Sequence, residues 1–264
     1  MLGVRLLERD RHGAEPTIYG TALLKRGTAA FDELRESVKD IEFLTDPTAG
    51  EVRIGSPPFL AGSFVTAVID RLSRRYPRIV YHLVVAQAEQ EALLRELSER
   101  NVDLLIARRF VPIADGQLDV EFLFEEPYVV AAGAQSPWAR RRRIELADLV
   151  NESWVLPPPE SAFGLVAVEA FRASGLDYPR TTVVTFSPEV RIRLLATGRF
   201  LAIFPASALR LPTRHPEIKI LPIELPTARV PTAIVTLKNR SLSPVARLFI
   251  EHAREIAKPL AKGK

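Results

Sequence analysis

With 264 residues, the chain is long enough for one large domain or two modest ones, and its 47% hydrophobic and 26% charged residues are typical of a globular protein. The absence of cysteine excludes disulfides and thiolate chemistry, and no apolar run approaches the roughly 20 residues that a membrane span needs. A net charge of +4 permits contact with nucleic acid but indicates it only weakly, because the excess is small for this length.

The first residues predict a small β-unit that leads into a helix. Residues 4–17 indicate two short strands around a turn at Arg11-His12-Gly13, and Thr17 is suited to be the N-cap of the helix that follows. Charged side chains such as Glu8 interrupt the apolar residues near the start, so this stretch does not have the pattern of a signal peptide. We therefore expect a cytoplasmic protein.

A long amphipathic helix is predicted next, over residues 18–46. No proline occurs from Ile18 to about Leu44, and apolar residues recur at alternating spacings of three and four. They form a heptad seam of Leu24, Gly27, Phe31, Leu34, Val38 and Ile41. Because a single helix of this length is rarely stable alone in water, the seam should pack against a second copy of the chain. The alternative is that it packs on the chain's own body.

The remainder of the chain alternates between predicted strands and helices in two sets. In the first set the segment 79–85 is apolar on both faces, which is typical of a parallel sheet covered on both sides by helices. A second set follows from about residue 155 to residue 205. The segments 128–131 and 232–236 are interpreted as crossings between the two sets, and a final helix over 243–257 returns to the first.

The expected fold is therefore α/β with two lobes, in which one lobe is inserted into the other. The first lobe is expected to comprise residues 50–128 and 236–264, and the second lobe residues 129–235. Two connecting segments between such lobes imply a cleft that can open and close.

Several short motifs, in this order, resemble the LysR-type transcriptional regulators over essentially the whole chain. Near the start, Leu2-Gly3-Val4-Arg5-Leu6-Leu7-Glu8-Arg9, Arg11-His12-Gly13, Pro16-Thr17 and Gly20 resemble the end of the family's winged helix-turn-helix. Further matches are Gly50-Glu51-Val52-Arg53-Ile54-Gly55, Tyr76-Pro77, Asn101-Val102-Asp103-Leu104-Leu105-Ile106, Ala196-Thr197-Gly198 and Phe204-Pro205. One departure is Phe200, which replaces a glycine of the family pattern and would not readily adopt a positive φ.

The resemblance implies a regulator of transcription whose effector domain has the two-lobed fold of periplasmic binding proteins. Residues 1–17 would then be the remnant of a winged helix-turn-helix, lacking the helices that come before the wing in the family. Its arginines could contact DNA phosphates, although they could equally be solvated charges: Arg5, Arg9 and Arg11. Without a recognition helix, we expect DNA to be bound only weakly. The family also implies dimers or tetramers.

A candidate effector site follows from the rule that ligands of open α/β sheets bind beyond the carboxyl ends of the strands. Hydroxyls and helix-end amides there would receive a small anionic effector, an arginine after the third strand (Arg108 or Arg109) would neutralise it, and aromatic rings would form walls. The candidate residues are Ser56, Pro57, Phe59, Arg108, Phe110, Ser161, Phe186, Ser187 and Phe204. The alternatives are that the serines cap helices, that the arginine is a surface charge and that the rings belong to the core.

Signals of catalysis are weak. The four histidines lack metal-ligand spacing, and the chain contains no nucleophile elbow, P-loop or dinucleotide-binding motif. We therefore expect a non-enzyme without metal or cofactor, and no membrane partner. Two alternatives remain open at this point: a ligand-sensing or mixed-oligomer module that does not read DNA, and a solute-binding protein.

Overall fold

A computed structural model describes residues 2–10, 13–86, 90–108, 116–211 and 215–262. At the start, strand β1 (Leu7–Asp10) pairs antiparallel with β2 (Gly13–Pro16), and helix α1 (Ile18–Thr45) follows. Thr17 is the N-cap of α1, and its Oγ1 accepts a hydrogen bond from the Gly20 N–H at 3.1 Å. A Cβ atom at Gly20 would lie 1.9 Å from the carbonyl oxygen of Leu6, so this glycine allows the hairpin to pack closely on α1. The predicted β-unit and helix are confirmed.

The first lobe contains a five-stranded sheet in the order β4-β3-β5-β12-β6. Its strands are β3 (Ala49–Ser56), β4 (Arg78–Val85), β5 (Leu104–Arg108), β6 (Leu118–Glu126) and β12 (Val230–Leu237). Its helices are α2 (Pro58–Leu60), α3 (Thr66–Arg75), α4 (Gln90–Ser98) and α8 (Pro244–Ala261), with a π-helical turn at Ala61–Val65 between α2 and α3. The C-terminal helix α8 packs on this lobe, as predicted, and contributes Val245, Phe249 and Ile250 to its core.

The second lobe contains a five-stranded sheet in the order β11-β7-β10-β8-β9. Its strands are β7 (Tyr128–Gly133), β8 (Trp154–Leu156), β9 (Thr181–Val184), β10 (Leu201–Pro205) and β11 (Ile218–Ile220). Its helices are α5 (Gly164–Ala173), α6 (Pro188–Ala196) and α7 (Ala206–Arg210), accompanied by 3-10 turns at Pro137–Arg140 and Leu146–Leu149. Phe200 does not take up a positive φ, which falls instead on Gly198 at 77°, so the departure from the family pattern causes no strain.

The two predicted crossing segments are the strands that run antiparallel to their neighbours. β7 pairs antiparallel with β10, and β12 pairs antiparallel with β5. The expected lobe boundaries need correction, because β12 lies in the first sheet from Val230 onward rather than from residue 236, and the second sheet begins at Tyr128. None of the described helices is long and apolar enough to cross a lipid bilayer.

The expectation that the apolar segment 79–85 is covered on both faces is wrong. Strand β4 lies at the edge of its sheet, and Val80, Leu83 and Val85 are exposed. A run of apolar residues therefore marks a strand here, but it does not mark a strand in the middle of the sheet.

Helix α1 docks on the first lobe through charged residues and leaves its apolar seam outside. Asp32 and Glu36 are buried at this contact, whereas Leu34 and Ile41 are each 64% exposed. The alternative that the seam packs on the chain's own body is therefore wrong. An exposed apolar stripe on a helix is the surface expected of an association site.

The buried charges of α1 meet a matching set on the lobe. The Arg240 Nη2 atom lies 2.8 Å from Asp103 Oδ1 and 3.3 Å from Asp32 Oδ1, and Arg100 also pairs with Asp32. Burial opposes ionisation of Asp32, but hydrogen bonds from Arg35 and Arg100 and the charge of Arg240 hold its pKa below the usual value. These ion pairs hold α1 against the first lobe.

Candidate ligand-binding site

The first candidate residue, Ser56, lies at the carboxyl end of β3, where ligands of open α/β sheets bind. Ser56 is buried there, and its hydroxyl donates to the carbonyl oxygen of Ile106 at 3.1 Å. The N-cap of α2 is Pro57 and no side chain caps this helix, so the alternative that Ser56 caps it is wrong. Ser56 instead ties the end of β3 to the middle of β5.

The other two candidate serines hold turns in the second lobe. Ser187 caps α6, and its Oγ accepts from the Val190 N–H at 3.3 Å. The Ser161 hydroxyl accepts from the Gly164 N–H at 3.0 Å and donates to the Pro158 carbonyl. Phe186, next to Ser187, is half-buried. These hydroxyls shape the loops at the start of α5 and α6. Ser187 is a helix cap, but the N-cap of α5 is Phe163, so the capping alternative describes Ser187 and not Ser161.

Arg108 is neither a surface charge nor free. Its side chain is 2% exposed and pairs with Glu126, whose carboxylate also accepts from the backbone N–H and the hydroxyl of Ser207 at the start of α7. Glu126 ends β6, one residue before the chain crosses to the second lobe. The network therefore joins the two lobes at the crossing.

Part of the Arg108 guanidinium remains without a hydrogen bond. Nε and Nη1 have no partner among the described residues, and the same holds for the buried hydroxyl of Thr232. Thr232 lies directly opposite Arg108 in the β12–β5 pairing, so the two side chains share one face of the sheet. Two donors and a hydroxyl are thus left available at the crossing.

Aromatic side chains close the space between the lobes. Phe59, carried on α2 of the first lobe, belongs to an apolar cluster whose other buried members come from the second lobe. Its ring centroid lies 5.6 Å from that of Phe204 in an edge-to-face arrangement and 6.3 Å from that of Phe163. A cavity of about 10 Å³ lies beside these rings, which is barely room for one water molecule.

Arg191 is the site residue that sequence reasoning missed. It lies in the first turns of α6, is 2% exposed, and donates from Nη2 to the carbonyl oxygen of Ile203. The guanidinium carbon is 5.0 Å from the Phe59 ring centroid and 4.7 Å from that of Phe204. An arginine in an ordinary helical pattern looks like a solvated charge, so nothing in the local sequence indicates its burial.

The remaining predicted residues are the second candidate arginine, one phenylalanine and the arginines near the start of the chain. Phe110, the alternative Arg109 and the wing residue Arg11 fall outside the described residues. Arg5 and Arg9 are exposed on the hairpin, as phosphate contacts would need to be, but exposure alone does not assign that role.

The sequence matches a known protein family over most of its length. The LysR substrate binding domain matches residues 45–258, which is most of the chain. The chain belongs to the LysR family. A relative along nearly the whole chain is the HTH-type transcriptional regulator GbpR of Azospirillum brasilense, at 27% identity over 96% of this chain and 74% of GbpR. The expected two-lobed fold and family are confirmed, and the family supports a transcriptional regulator over the solute-binding alternative.

Two solved structures show the same fold. The BenM effector binding domain with its effector benzoate has a TM-score of 0.60 at 22% identity. The match covers 79% of this chain and 92% of the BenM domain. Full-length CbnR in complex with its target DNA has a TM-score of 0.62 at 22% identity, covering 97% of this chain and 85% of CbnR's. The LysR-family relatives are named as regulators of transcription rather than as enzymes.

Proposed function

We propose that this LysR-family chain binds a small anionic effector between its lobes and, in the cytoplasm, couples that binding to the control of transcription. The observation that carries the proposal is the cluster at the interlobe contact, where Phe59 of the first lobe packs on second-lobe rings beside a buried arginine. Concave sites with apolar walls and a few convergent polar groups are typical of small-molecule sites. BenM, whose fold is similar, is a relative solved with benzoate.

Binding of this kind requires the lobes to move. The cavity beside Phe59 holds about 10 Å³, so any organic molecule must separate Phe59 from the second lobe before it can enter. A ligand that binds only the separated form shifts the population toward it, and that shift is how binding would reach the rest of the molecule.

We propose that the chain functions as a dimer or tetramer joined in part by α1. The seam residues are exposed along one side of the helix, with Phe31 at 76%. The charged contacts hold the opposite side to the first lobe, so pairing of two α1 helices would place two effector domains in a fixed relation.

The effector assignment is tested by calorimetric titration of the chain with a panel of organic acids. We expect saturable binding of one molecule per chain for at least one acid, and a loss of about fivefold in affinity for Ser56→Ala, the size of one hydrogen bond, because the hydroxyl would turn from the Ile106 carbonyl to the acid on binding. Ser37→Ala, an exposed serine on α1, is the matched control and should leave affinity unchanged. A flat titration across the panel would contradict the proposal.

We further expect a polypeptide of these 264 residues alone to bind DNA weakly and without useful sequence preference. The exposed Arg5 and Arg9 suit phosphate contacts, which carry no sequence information, and the described residues before α1 form β1 and β2 only. Reading base edges requires an element in a groove, usually a helix in the major groove. Selection from a random duplex library should enrich no motif, and binding should weaken steeply with salt. Enrichment of one motif bound tightly would show this expectation to be wrong.

A further inference from the structure

Arg191 differs from the other deeply buried arginines of the described chain. Arg108 pairs with Glu126, and Arg240 pairs with Asp32 and Asp103. Arg191 has no carboxylate partner in the described residues; its Nη2 donates to a backbone carbonyl, and its buried Nε has no hydrogen-bond partner there. Burial lowers the pKa of Arg191 to about 10, so the side chain is still a cation at neutral pH.

Such a group is costly for the protein to keep. A buried charge without a counter-charge destabilises the folded state, and the usual remedy is an ion pair that is also hydrogen-bonded. The partial compensation here comes from the faces of two aromatic rings, of which Phe204 is in the same lobe and Phe59 is in the other. The cation therefore sits at the interlobe contact, where an incoming ligand would arrive.

The residues around Arg191 indicate the chemistry of the rest of the ligand, beyond its anionic group. The cavity beside it is lined by Phe59, Phe163, Leu156, Ile203 and Pro157 together with Tyr128, so the lining is apolar apart from the arginine and the tyrosine. Flat apolar walls with one cation match a small molecule with one anionic end and an apolar body.

We propose that Arg191 is the residue that pairs with the anionic group of the effector, and that this effector is a monocarboxylate with a compact apolar body. The inference rests on the proposed function, since it assumes a ligand between the lobes. The carboxylate accepts from the unpartnered Nε of Arg191, in the plane of the guanidinium, and reaches this edge when Phe59 separates from the second lobe. An ion pair in a site shielded from water is stronger than the contact with the Phe59 ring that is lost on separation.

The test compares charged and neutral versions of the same body. Calorimetry and thermal melting are carried out on the parent chain, Arg191→Gln and Arg191→Lys with benzoate and benzamide, and with cyclohexanecarboxylate and its amide. We expect the parent to prefer each acid over its amide at least tenfold, Arg191→Gln to lose that preference, and Arg191→Lys to keep part of it. Arg193→Gln, two residues along on the exposed side of α6, is the control and should behave as the parent.

The melting temperature separates a ligand role from a structural one. If Arg191 serves a ligand, Arg191→Gln should melt no lower than the parent, because it removes an unpaired buried charge. Loss of cooperative melting in both variants, equal binding of acid and amide by the parent, or an unchanged preference in Arg191→Gln would each overturn the proposal. Binding of other molecules without any dependence on Arg191 would overturn it while leaving the proposed function standing. If the parent chain binds no small molecule, both the role of Arg191 and the proposed function are contradicted.

Discussion

Arg240→Met is expected to destabilise the chain by about 3–5 kcal/mol, the cost of removing one partner from a buried ion-pair network. The substitution leaves the carboxylates of Asp32, Asp103 and Glu36 buried around an apolar side chain. It also removes the donor to the carbonyl oxygen of Val102, which accepts from Nη1 at 2.6 Å. Because the network joins α1 to the first lobe, chemical denaturation should show both lower stability and earlier release of α1.

Arg247→Met is the matched control for this prediction. Arg247 also reaches α1, where it lies 3.3 Å from Asp40, but both side chains are about half exposed. An exposed pair of this kind contributes about 0–1 kcal/mol. If Arg240→Met costs no more than Arg247→Met, the network does not hold α1 in place.

The effect of Arg240→Met should also depend on pH. Hydrogen bonds and nearby cations hold the folded pKa of Asp32 below its usual value of 3.8 although burial opposes this, so its contribution is present above about pH 4. That contribution is lost as the pH falls through the folded pKa. The stability difference between parent and variant should therefore narrow in acid.

Leu34→Glu is expected to weaken self-association of the chain by more than a hundredfold in Kd. In a two-fold pair of α1 helices the change removes two buried leucines, about 3 kcal/mol or more, and places two carboxylates in the seam. The stability of the single chain should change by no more than about 0.5 kcal/mol, because Leu34 is exposed on α1. Sedimentation velocity measures the first quantity and thermal melting the second.

Ala22→Glu adds the same charge to the same helix on the side opposite the seam and serves as the control. It should associate like the parent. Association of Leu34→Glu at parental strength would mean that α1 does not join the copies, and another surface would have to be sought.

Local patterns were sufficient to predict the architecture. The cap at Thr17, the uninterrupted helix after it and the two sets of alternating strands and helices all follow from signals within a few residues of each other. The crossing strands β7 and β12 were also predicted, although their lobe boundaries were not. Which strand lies at a sheet edge depends on the order of all strands, so the exposure of Val80 on β4 could not be read from its own segment.

The partners of charged side chains were the least predictable part of the site. Arg108 was identified by its position after a strand, but its pairing with Glu126 and the contact of Glu126 with Ser207 join residues 18 and 81 positions apart. Burial of Arg191 requires Phe59 and Phe204 to meet across the lobes, which no helical periodicity records. The docking of the charged face of α1 was not predicted either, since its partner Arg240 is 208 residues away from Asp32.

The proposed function requires that a small molecule binds between the lobes and separates them. The most direct test is to measure the distance between the lobes with and without the molecule. The chain has no cysteine, so Ser98→Cys and Ala173→Cys place one spin label at the exposed end of α4 and one at the exposed end of α5. Both positions are at helix C-termini, which lie far from the carboxyl edges of the sheets. A hinge movement between the lobes produces a larger displacement at such distant positions.

We expect the distance distribution from pulsed electron resonance to shift by more than about 2 Å at saturation with the organic acid that binds in the titration. The shift should disappear when the acid is removed. An unchanged distribution at saturation, with binding established by calorimetry on the same labelled chain, would contradict entry of the effector between the lobes.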